Sequence, residues 1–165
     1  VVFPAGGTGN AISVAIICDE KPRDSQGGTS VSDDYQDRDL NTEISDLDSI
    51  VTVDSGNKQF TIGAGTYLIE FSAPAFQVNR HHVYLWDQTA GDYVTKGSGS
   101  SACSGGSDSV QTRSVGAVIV EPTSNNIYRI KHYTNVAVSN SGLGIDQENT
   151  GSVCIYTIVK ITKLK

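Results

Sequence analysis

Two strands between Gly65 and Asp87 constrain this chain more than any other stretch. In the first, Tyr67, Ile69 and Phe71 alternate with Leu68, Glu70 and Ser72, which is the period of a strand with one wetter face. Gly65 before it and Pro74 after it mark its ends. In the second, Val83 and Leu85 share one face while Tyr84 and Trp86 share the other, so both faces are apolar. Gln88-Thr89-Ala90-Gly91-Asp92 then reads as a turn into Tyr93-Val94-Thr95.

The rest of the chain repeats this grammar. Strand patterns occur at 12–18, 50–53, 59–62, 114–120, 127–134 and 153–162, separated by turn residues such as Asp54-Ser55-Gly56-Asn57-Lys58. No segment keeps a helical period. Eight to ten strands in 165 residues predict an all-β, antiparallel sandwich or barrel in one domain. Residues 1–11 carry no periodicity and read as an N-terminal arm, leaving 12–165 as the folded domain. Residues 33–44 are polar, with only Tyr35, Leu40 and Ile44 as anchors, and the Ser/Gly run 97–106 reads as a flexible loop.

The last strand pattern is two-sided. Val153, Ile155, Val159 and Ile161 are assigned to the core, which leaves Cys154, Tyr156 and Ile158 on the opposite face. An antiparallel sheet facing water should be polar there. Tyr84 and Trp86 raise the same difficulty, so Tyr84, Trp86, Tyr156 and Ile158 are the predicted interface to a neighbouring subunit.

Charge and chemistry exclude several functions. A net charge of -6 with scattered Lys and Arg argues against nucleic acid. No apolar run is long enough to span a bilayer, and no membrane insertion is expected. Three cysteines cannot all pair within one chain, so free thiols and a reducing compartment are expected. The acidic residues of 33–43 do not match a calcium loop, and no metal or cofactor is predicted. His81 and His82 are neighbours on a strand and point to opposite faces, so they do not form a joint chelate. His132 is expected to be exposed or at a subunit contact. No nucleophile stands in an elbow motif, so no catalytic residue is assigned and the chain is not expected to be an enzyme.

Several runs carry a family resemblance. Gly65-Thr66-Tyr67-Leu68-Ile69-Glu70-Phe71-Ser72-Ala73 resembles the central strand of the jelly rolls shared by tumour necrosis factor and the complement globular heads. The runs Asp19-Glu20-Lys21-Pro22, Gly27-Gly28-Thr29, Arg38-Asp39-Leu40-Asn41-Thr42, Ala73-Pro74-Ala75, Val78-Asn79-Arg80-His81-His82 and Val159-Lys160-Ile161-Thr162-Lys163-Leu164 resemble trimeric head modules of tailed bacteriophages. The resemblance implies a ten-stranded, tumour-necrosis-factor-like jelly-roll sandwich that forms a homotrimer. It places the last strand near the threefold axis, and with it Tyr156 and Ile158.

The resemblance also implies a virion structural protein, made in the host cytoplasm and carried on the particle. Such modules sit on capsids as decoration or cement trimers, or at tail-fibre tips. A fibre protein is expected to need a stem before its head, so the expected role is capsid decoration, with the major capsid protein as partner. Val1, Val2, Phe3 and Pro4 are then the expected docking arm. The alternative is a receptor-binding head that contacts a host-surface glycan or protein.

Overall fold

The computed structural model describes residues 12–103, 109–146 and 153–165. Among these residues every regular element is a strand: β1 (Ser13–Lys21), β2 (Asp34–Asp37), β3 (Thr42–Asp46), β4 (Val51–Asp54), β5 (Gln59–Ile62), β6 (Tyr67–Phe76), β7 (Asn79–Asp87), β8 (Asp92–Lys96), β9 (Ser100–Ala102), β10 (Gln111–Val120), β11 (Asn126–Thr134) and β12 (Cys154–Lys163). They build two antiparallel sheets. One has the order β10-β6-β12-β1-β3. The other has the order β4-β5-β11-β7-β8, with β2 also pairing β11 and β9 also pairing β7. The predicted arm at residues 1–11, including Val1, Val2, Phe3 and Pro4, lies outside the described residues.

The alternation read from the sequence sets the inner faces. Ile69 and Phe71 of β6, Val83 and Leu85 of β7, and Val159 and Ile161 of β12 meet Ile17, Phe60 and Ile130 in one buried core. Removing this apolar area from water supplies the main drive for the sandwich. Gly116 of β10 lies beside Phe71 of β6 in the ladder. A Cβ at Gly116 would run into the Phe71 ring, so glycine is what lets the ring lie across the neighbouring strand.

Two strands fall where none was expected. β2 and β3 lie in the polar segment 33–46 and show no buried apolar row. β2 pairs only with β11, and β3 pairs only with β1. Edge strands do not need an apolar period, which is why this segment gave no strand signal. The Ser/Gly run likewise contributes β9, paired with Asn79–His81 of β7.

The last strand corrects a facing prediction. Between Cys18↔Ile158 and Glu20↔Ile155 the register of β1 against β12 shifts by one. Asp19 therefore opposes both Tyr156 and Thr157, which is a β-bulge. The bulge turns Tyr156 inward, to 3% exposure, and turns Ile155 outward, to 41%. Ile158 faces outward as predicted. Two loops close over Tyr156: Gly27 N–H donates to the Gly144 carbonyl (2.8 Å), Leu143 N–H to Gly28 (2.9 Å) and Ser30 N–H to Val138 (3.0 Å). The Tyr156 hydroxyl donates to the Ser25 carbonyl. Tyr156 is thus covered by its own subunit rather than offered to a neighbour.

Candidate interaction surfaces

The outer faces of the two sheets differ in chemistry. On the five-stranded sheet, Val115, Ala117 and Ile119 of β10 point outward. They sit opposite Ser72, Glu70 and Leu68 of β6. On the other side of β6, the same three residues oppose Ile158, Lys160 and Thr162 of β12. Val115 is 51% exposed, Ile119 58% and Ile158 37%. One ion pair, Lys160 Nζ to Glu70 (2.9 Å), sits in the middle. A shallow groove of about 490 Å³ runs over Glu70, Ser72, Val115, Ala117, Ile158 and Lys160. Arg113 of β10 lies at one end of the face, donating from Nε to Ser72 Oγ (2.7 Å) and from Nη2 to the Tyr156 carbonyl (2.6 Å). The rest is aliphatic with one charged pair, which is more apolar than a water-facing antiparallel sheet should be.

On the seven-stranded sheet the outer face is aromatic. Tyr84 and Trp86 do face away from the core, but β7 and β12 belong to different sheets. The four predicted interface residues therefore do not form one surface. Tyr84 and Trp86 sit on one side of the sandwich, Ile158 on the other, and Tyr156 inside.

Cross-strand pairing assembles the aromatic face. Tyr35 of β2 opposes Tyr133 of β11, and Tyr133 opposes His82 of β7. Trp86 opposes Tyr93 of β8. The His82 and Tyr133 rings stack at 5.0 Å, Tyr35 and Tyr84 lie 5.2 Å apart, and Tyr84 and Tyr93 lie 5.9 Å apart. The Tyr35 hydroxyl donates to the Tyr84 hydroxyl (3.1 Å). Burial, then the bond to Tyr84, pushes the Tyr35 phenol up to about 12. Lys131 Nζ lies 4.5 Å from the Trp86 ring centre, a cation–π contact. A cleft of about 430 Å³ opens between Asp34, Tyr35, Tyr84, Trp86, Tyr93 and Lys131.

Between the sheets lies a third cluster, which is polar and closed. His132 is fully buried, contrary to the expectation that it is exposed, because it falls on the inward face of β11 with Ile130 and Thr134. His132 Nε2 and His81 Nδ1 are 2.9 Å apart, and His81 Nε2 is 2.9 Å from Thr112 Oγ1. The Thr112 hydroxyl donates to the Ser101 carbonyl (3.1 Å). This fixes the proton order along the chain: Thr112 accepts from His81 Nε2–H, and His81 Nδ1 accepts from His132 Nε2–H. Both rings are neutral. Burial, then the positive charge of Arg38, lowers His81 to about 4 and holds His132 well below its ordinary value.

Arg38, also fully buried, donates from Nε to Thr157 Oγ1 (2.7 Å) and from Nη1 to the Pro74 carbonyl (3.4 Å). Its Nη2 lies 3.9 Å from Asp19 Oδ2. Lys21 Nζ joins Asp19 (2.9 Å) to Asp39 (2.6 Å). Lys21 and Asp39 reach the surface, while Asp19, Arg38, His81 and His132 are all buried, so the inner part of the cluster is a buried structural network.

Sequence reading missed four contributors. Tyr35 and Tyr133 belong to the aromatic face, and their signal was the outward parity they share with Tyr84 across the ladder. Val115 and Ile119 belong to the aliphatic face. Their signal was in plain view, because Val115, Ala117 and Ile119 alternate with Gly116, Val118 and Val120 to make β10 apolar on both sides. The cysteines are all free, with Cys18 buried, Cys103 exposed and Cys154 half-buried.

No known family profile and no curated protein matches the sequence. Solved structures do match. Murine APRIL at pH 8.0 aligns over 93% of this chain and 99% of its own, with a TM-score of 0.62 at 11% identity. The Eiger TNF of S. frugiperda aligns over 93% of each chain, with a TM-score of 0.58 at 11% identity. The globular domain of zebrafish complement 1qA protein aligns over 93% of this chain and 96% of its own, with a TM-score of 0.54 at 15% identity. The chain therefore has the jelly-roll fold of the tumour necrosis factor and complement 1q globular domains.

Proposed function

We propose that this protein is a non-enzymatic structural module that works as a homotrimer, carried on a bacteriophage virion as a capsid decoration protein. The observation that carries the self-association is the aliphatic outer face of the five-stranded sheet, where Val115, Ile119, Ile155 and Ile158 are all more than a third exposed. A second copy is the occupant that fits it. The face is apolar apart from the Lys160–Glu70 pair and Arg113, whose guanidinium is held at one end by Ser72 and the Tyr156 carbonyl. Ile158 of the predicted interface stays in this assignment. Tyr84 and Trp86 lie on the opposite side of the sandwich. The virion reading rests on the resemblance of the sequence runs to phage head modules, and the fold bears only on the trimer. In it, Val1, Val2, Phe3 and Pro4 remain the proposed contact with the major capsid protein.

Imaging of intact particles carrying the chain labelled at the exposed Cys103 tests this reading. Label at capsid threefold positions is the expected result, with those positions bare when Ile158→Asp is used, because a carboxylate in a desolvated interface disperses the trimer. Label confined to the tail would replace capsid decoration with the receptor-binding head. Full capsid occupancy by Ile158→Asp would remove the aliphatic face from the mechanism.

A further inference from the structure

We propose that the aromatic cleft on the outer face of the seven-stranded sheet is a binding site for a neutral saccharide. The inference stands on the cleft itself and holds whether the protein sits on a capsid or on a tail.

Three properties of the cleft select this ligand. The first is its lining: Tyr35, Tyr84, Trp86 and Tyr93 supply the apolar surface, Asp34 and Lys131 supply the charge, and no aliphatic side chain takes part. A lipid tail or an apolar side chain would meet charged groups there and lose their hydration. A sugar ring has a C–H face that lies on aromatic rings and a rim of hydroxyls that both donate and accept.

The second property is the mixed rim. Asp34 Oδ1 already accepts from the Tyr35 N–H (2.7 Å), which leaves Oδ2 to accept, and the Lys131 ammonium over the Trp86 ring donates, a pair that matches hydroxyls. A proline-rich peptide has carbonyls to accept from Lys131 but few N–H groups to satisfy Asp34. Nucleic acid is disfavoured by Asp33, Asp34 and Asp37 in and beside β2, and by the net charge of -6.

The third property is rigidity. The rings hold one another through the Tyr35–Tyr84 hydrogen bond and the Tyr35–Tyr133, Tyr84–His82 and Tyr84–Tyr93 contacts at 5.0–5.9 Å. A weakly bound ligand gains from a surface that does not have to be ordered first. The cleft, at about 430 Å³, is also of the size of small-molecule sites, which run from about 300 to 1,000 Å³.

Trp86 is the chain's only tryptophan, so its emission reports the cleft directly. The full chain is titrated with maltohexaose, cellohexaose, mannohexaose and N-acetylchitohexaose. The expected result is a saturable change in emission with at least one of them, at a midpoint on the order of millimolar. Tyr93, 62% exposed, stands at the cleft edge, and Tyr93→Ala is expected to weaken binding about tenfold while leaving the far-UV spectrum and melting temperature unchanged. No saturable change with any of the four sugars overturns the assignment. Undiminished binding by Tyr93→Ala also overturns it, as does a response to decaproline without a response to sugar.

Discussion

Arg38 brings a full positive charge into a space closed to water, and its nearest carboxylate oxygen, on Asp19, is 3.9 Å away. Burial lowers the guanidinium to about 10, where it stays charged at neutral pH. The two neutral histidines follow first from their own burial and then from that charge. Their linkage to pH has a definite sign. In the unfolded chain a histidine takes up its proton near 6.5, whereas folded His81 does so only near 4. Between those values the unfolded state binds more protons, so stability is full above 6.5 and falls as pH drops toward 4. His81 alone contributes on the order of 3 kcal/mol to that loss. Asp19, whose carboxyl burial raises, acts in the opposite sense at the acid end. Urea midpoints are expected to fall between pH 7 and pH 4.5, and to fall less in His81→Gln. A pH-independent midpoint in the native protein would contradict the buried network. No warning of it was legible at Arg38, which sits among acidic letters that read as a solvated loop. At His132 a warning was legible: Tyr128, Ile130 and His132 share one parity.

At the scale of the element, alternation did most of what it can do. It assigned both faces of β6 and β7, although β6 runs on through Pro74, expected to end it, as far as Phe76. It could not find β2 and β3, because an edge strand with one partner holds its place by backbone bonds and leaves no apolar row. It also could not see the bulge at Tyr156 and Thr157, which shifts parity within one strand. Asp19, a buried polar residue, faces the extra residue, and nothing in either strand's own pattern marks it. Strand order was equally out of reach of the sequence pattern, so Tyr84 and Ile158 were placed together when they lie on opposite sheets. One packing relation at this scale is testable. Gly116→Ala forces a methyl against the Phe71 ring, and overpacking of a close-packed core costs about 1–3 kcal/mol. The urea midpoint is expected to drop accordingly. An unchanged midpoint would mean that Phe71 has room to move.

The whole molecule presents two unlike faces. One is mainly aliphatic, with the Lys160–Glu70 pair and Arg113 as its charges. The other is aromatic, clefted and rimmed by both signs of charge. The first suits a copy of itself and the second suits a polyhydroxylated ligand, and a single sandwich keeps them apart by about the thickness of two packed sheets. The fold class was legible because turn residues recur between short alternating runs. The division of labour between the faces was not, because it depends on which strands become neighbours. The claim that the aliphatic face is covered by further copies is tested most directly by the mass of the native chain in solution, measured by sedimentation equilibrium. The account predicts three times the 17.5 kDa of one chain, and a species of 17.5 kDa would contradict it.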